Sequence, residues 1–199
     1  MTPTKFDALA KRYFGGLLEP KGFSCIGSEA ATFYRHVSPD IFHFVLVDLG
    51  SGGSWYDVKV FASSPKIEPE FKEKFPDSVG VPSGSLCYLH PSSGVGPDQK
   101  RYLCKTEEDF VRGFNSEVAP ALDAKAIPFL DRIVSIQSLL PFIRHDFYLG
   151  VALWHAGEKE QAERILAKEA QRLEEIQDPT GRVGALLRHL NSLRQSEAT

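Results

Sequence analysis

Two strand-like segments, IFHFVLVDL (41–49) and WYDVKVFAS (55–63), flank a five-residue stretch, Gly50 to Ser54, that contains three glycines. No other feature limits the fold as much. A phosphate-cradling loop needs a strand before its glycines and a helix after them, because the helix N-terminus supplies the aligned N–H groups that hold the anion. Here an alternating segment follows, with Tyr56, Val58, Val60 and Ala62 set against Asp57 and Lys59. There is no G-K-[ST] and no third glycine at dinucleotide-binding spacing. The stretch therefore reads as a β-hairpin connection in which glycine supplies positive φ. Segment 41–49 is apolar at both parities, which places it centrally with both faces covered. Segment 55–63 has one drier face.

Around this pair the chain reads α+β. Residues 4–18 repeat apolar side chains at helical spacing (Phe6, Leu9, Tyr13/Phe14, Leu17), and Pro20 and Gly22 end that helix. Short strands are expected at 23–27, 31–37, 86–90 and 99–104, giving an antiparallel meander of about five or six strands. A short helix is expected within 65–74. Residues 75–97 carry four Pro, four Gly and five Ser and read as a long excursion, with a binding loop as the sharper alternative. The last 95 residues read as helical. Thr106 with Asp109 forms a capping-box pattern, Ser135 is a second cap, and Pro120 and Pro128 are expected to divide what lies between. Gly157 separates two helices within 146–178. The second carries a stripe of Ala162, Ile165, Leu166, Leu173 and Ile176, and GALLRHLNSLR forms a final helix.

Composition removes several functions. Of 199 residues, 42% are hydrophobic and 25% charged, and the net charge is −3, so there is no basic excess to neutralise phosphates. Nucleic acid is not an expected partner. No apolar run approaches the roughly 20 residues of a membrane span, and the N-terminus has no signal-peptide core. Cys25, Cys87 and Cys104 are an odd set without C-x-x-C spacing, which fits small buried hydrophobes in a reducing cytoplasm. A Cys87–Cys104 disulfide is the lesser alternative. Fourteen Phe imply a core built on aromatic anchors.

Signals for chemistry are sparse. The six histidines form neither H-x-x-x-H nor H-E-x-x-H, and no G-x-S-x-G is present. Cys87 and His90 are the one close Cys–His pair, at a spacing that belongs to no nucleophile signature. No catalytic, cofactor-binding or metal-binding residue is assigned. The best polar cluster comes from strand pairing: Tyr34, His36, His43, Asp57 and Lys59 would share a sheet face if 31–37, 41–49 and 55–63 are neighbours. That arrangement requires His43 to point the same way as Val45 and Val47. Arg35 is expected to make a structural hydrogen bond or ion pair.

An opening helix, KGF (Lys21–Phe23), TFYR (Thr32–Arg35), then an apolar strand, a turn and an aromatic-led strand, and finally AIPFLDRIVSIQSLL (Ala126–Leu140) resemble an uncharacterised bacterial family, domain of unknown function 4304. The resemblance covers about residues 1–145. It implies an α+β domain with an antiparallel sheet and lends no catalytic residues. Residues 146–178 resemble a single tetratricopeptide helix pair through Leu149–Gly150, Leu153, Gly157, Ala162 and Leu166. Asp146 replaces the usual leading Trp, and Glu169 stands where a small residue is usual, with Ala170 next. One repeat cannot build a solenoid, so a helical hairpin packed on the main domain is expected. The expected function is a non-enzymatic binding or protein-interaction module of immunity-like or regulatory type. The alternative is a small-ligand-binding protein or enzyme with its site between the sheet and the 76–97 loop.

Overall fold

The computed structural model describes residues 1–26, 31–67, 87–89, 101–143, 146–176, 188 and 191–195. Helix α1 (Pro3–Leu18) starts at Thr2, whose side chain accepts from the Lys5 N–H, and it gives way to a 3-10 turn at Glu19–Lys21. The strands are β1 (Ser24–Ile26), β2 (Ala31–Ser38), β3 (Ile41–Leu49), β4 (Trp55–Ser63), β5 (Cys87–Leu89) and β6 (Tyr102–Leu103). All pairings are antiparallel, in the order β1-β2-β3-β4-β5, with β6 also pairing with β4. The fold is the expected α+β, and β3 is central. The Gly50–Ser54 stretch is the hairpin it was read as: Gly52 and Gly53 have φ of 89° and 64°, and the Gly50 N–H donates to Trp55 O at 2.9 Å. The expected 65–74 helix and most of the 75–97 excursion lie outside the described residues.

Register assigns the faces. Phe33↔Val45 and Val45↔Val60 put one row of side chains under α1, where Phe14 stacks on Phe33 at 6.2 Å and Phe6 meets Tyr56 at 5.6 Å. Tyr34↔Phe44 and Phe44↔Phe61 put a second row on the opposite face.

The helical half begins with α2 (107–130). Thr106 and Asp109 make both bonds of a capping box. The prolines do not divide this helix. Ala119 and Ile127, each directly before a proline, donate to carbonyls five residues back, Phe114 O and Leu122 O, so Phe114–Val118 and Leu122–Ala126 are wide π turns. A proline inside a regular helix loses a donor and clashes with the carbonyl four residues back. A one-residue bulge of this kind re-routes the hydrogen-bond ladder next to the ring.

The bulges also serve packing. Phe110, Phe114, Val118, Leu122, Ala126 and Leu130 are all buried, at intervals of four. At 3.6 residues per turn such a stripe drifts by about 200° over its 20 residues. Each π turn absorbs one extra residue, about 100°, and two of them cancel the drift.

Ser135 and Ser138 cap α3 (Ile136–Leu139) reciprocally. Helices α4 (Asp146–His155) and α5 (Lys159–Glu175) form a hairpin, and α4 closes with Gly157 N–H to Trp154 O at 3.1 Å and Glu158 N–H to Leu153 O at 2.9 Å, the Schellman pair. The helices cross closely at Gly150, where a Cβ would stand 2.5 Å from Leu166 Cγ. Val151, Ala152, Leu166 and Leu173 belong to the same core as the sheet. The α5 stripe ends at Leu173, however. Ile176, the C-cap residue, is 57% exposed and is not part of the buried stripe.

Candidate functional site

Arg35, in β2, joins several separate parts of the chain. Its Nε donates to His43 Nδ1 at 3.2 Å, Nη1 donates to Lys21 O at 3.2 Å, and Nη2 pairs with Asp131 Oδ1. Its guanidinium also lies 4.6 Å from the centre of the Phe23 ring. A planar group with donors on two edges and an aromatic on its face uses what distinguishes Arg from Lys. Three distant stretches meet here: 21–23, β2 and the end of α2. Asp131 is the C-cap residue of α2, where a negative charge opposes the helix dipole, and Arg35 offsets that cost.

His43 corrects the five-residue cluster. The register pairs it with Arg35, on the core face shared with Val45 and Val47. Strand alternation puts odd positions of β3 beneath the helices, and His43 is fully buried. The sequence condition that it point with those valines holds, and that very orientation separates it from the other four. Arg Nε can only donate, so Nδ1 carries the lone pair and Nε2 carries the proton, which it donates to Ile133 O at 2.7 Å. The ring is neutral. Burial is the main cause that pulls its pKa down to about 4; the bond to Ile133 O works against that, and the Arg35 charge lowers it further.

Tyr34, His36, Asp57 and Lys59 do share the opposite face. Two groupings occur there. His36, exposed, stacks on Phe42 at 4.3 Å, and Phe42, Phe44 and Phe61 continue the stack across β3 and β4 with Tyr34 and Leu46 against it. Asp48 and Asp57 face each other across the strands, a like-charge pair that would destabilise the sheet. Lys59 Nζ lies 3.6 Å from Asp48 and 3.8 Å from Asp57 and offsets one of the two negative charges.

Potential nucleophiles are set against reactivity. The Cys104 thiol is free and fully buried, and burial pushes its pKa up to about 11. Cys25 is also free, half-buried and raised by burial. Tyr56 is raised strongly by burial, and its hydroxyl makes no hydrogen bond among the described residues. Cys87 and His90 lie outside the described side chains. Among the described residues no three His, Cys, Asp or Glu gather closely enough to hold a metal ion, and no helix is long and apolar enough to cross a membrane.

Sequence reasoning missed Asp131 and the Ile133 carbonyl, which complete the Arg35 node. The one available signal was an acidic residue placed at the end of a helix, where it is unfavourable without a partner. Comparison with family models, curated proteins and solved structures finds no match to this chain.

Proposed function

We propose that this chain is a non-enzymatic binding module acting through protein–protein contact in the cytoplasm, with an immunity-like or regulatory role as its biological form. The observation that carries the reading is the α4–α5 hairpin. It is built to stack, with Gly150 closely crossed by Leu166, and it holds an apolar cluster around Leu153, Trp154 and Ala162 apart from the main core. Supporting it, both nitrogens of the buried imidazole are engaged in internal bonds, which suits a tie between layers better than a general base. Kinship with domain of unknown function 4304 is proposed on the three stretches that converge on Arg35.

Cross-linking of the full chain in a native bacterial extract, read by mass spectrometry, tests the proposal. Cross-links from α5 and its surroundings to one reproducible partner are expected. The rival reading predicts turnover or depletion of a small molecule that is lost in Tyr34→Ala, His36→Ala or Lys59→Ala. That result, without partner cross-links, would overturn the interaction reading.

A further inference from the structure

The groove between α4 and α5 is occupied by the chain itself. Leu193, in helical residues 191–195, is 7% exposed and packs with Leu153, Trp154 and Ala162, and Leu140, Leu149 and Ile165 line the same cluster in part. The next residue, Arg194, places Nη2 at 2.9 Å and Nε at 3.3 Å from the same Glu163 oxygen on α5. Both of these charged side chains are about half exposed. One aliphatic anchor and one wet ion pair thus cover an apolar cleft between the helices that includes a tryptophan, a residue type enriched among binding hot spots. Lys159 Nζ stands 5.9 Å from the centre of the Trp154 ring at its rim.

Resting on the interaction reading above, we infer that segment 191–195 is a resident pseudo-ligand, and that the groove's partner is an amphipathic helix of another protein that presents an aliphatic residue followed directly by Arg or Lys. The occupant states the chemistry. Leucine packs in the cluster that holds Trp154, and the adjoining cation meets Glu163. A tethered occupant competes at an effective concentration on the order of millimolar. A free helix therefore engages well only when it carries a stronger anchor or when the resident segment is weakened.

The test uses the full chain and a fluorescent peptide of residues 180–199 as the probe, read by anisotropy, with circular dichroism and thermal melts as folding controls. Leu193→Asp should bind the probe at least about tenfold more tightly than the unaltered chain, because it removes the internal competitor. Arg194→Glu, a milder change that keeps the apolar anchor, should show a smaller gain. Adding Glu163→Arg to Leu193→Asp should abolish the gain, and a probe carrying Arg194→Glu should restore it. Folded Leu193→Asp and Arg194→Glu chains that bind the probe no better than the unaltered chain would refute the inference. So would a concentration-dependent dimer of the unaltered chain that vanishes in Leu193→Asp, since it would assign the groove to a second copy. Probe failure together with reproducible partner cross-links elsewhere sinks this site alone, whereas loss of all cross-links sinks the interaction reading itself.

Discussion

At the scale of single residues, His43 is the most informative. Its folded pKa is about 4 against an ordinary 6.5. The folded state therefore resists a proton that the unfolded chain accepts. The stability from this site is fully present above about pH 6.5 and is lost as pH falls from there through about 4. The loss should run at about 1.4 kcal/mol per pH unit within that window. Urea melts of the unaltered chain and of His43→Gln at several pH values should differ by that slope, because Gln does not titrate. Parallel slopes would mean that the imidazole does not titrate as its surroundings require. Part of this site was legible beforehand. Arg35 was expected in a structural bond, and it makes several. His43 was grouped with the wrong neighbours because strand parity depends on register, and register is set by packing that no single segment displays.

Among the elements, the Thr106 capping box, the Ser135 cap, the hairpin and the bounds of β3 and β4 were readable because each is specified by adjacent residues. Helix α2 was not. Two prolines looked like breaks, and the competing signal was an apolar stripe of period four, too long for an α-helix and explained only by inserted π turns. This account gives a sharp expectation. Deleting exposed Asn115 from the first π turn, together with Pro120→Ala to remove the ring, converts that turn to regular α-helix and preserves the phase of the buried stripe. Its melting temperature should stay within a few degrees, corresponding to about 1 kcal/mol. Inserting one alanine at the same place should rotate everything after it by about 100° and abolish folding. Leu166→Ala in α5 should cost about 2–5 kcal/mol, since it empties a fully buried position against Gly150. An unchanged melt would mean that the hairpin does not rely on that contact.

For the whole molecule, the main point is continuity. Buried residues of the sheet, α1, α2 and the α4–α5 hairpin belong to one core, with a smaller aromatic cluster on the far face of the sheet. The two tryptophans report on different elements, Trp55 at the start of β4 and Trp154 near the end of α4. Trp55→Phe and Trp154→Phe should therefore give coincident urea transitions by fluorescence, as expected of one cooperative unit. Separated midpoints would show that the hairpin melts on its own. The Arg35 node supplies a finer gauge of the same cooperativity. The Nε2 proton of His43 is buried between the sheet and the carbonyl that follows α2, so solvent reaches it only when those layers part. In deuterated water its replacement should lag far behind that of surface amides and keep pace with the slowest strand amides. That single imidazole proton would then act as a clock for how often the helical half lifts away from the sheet.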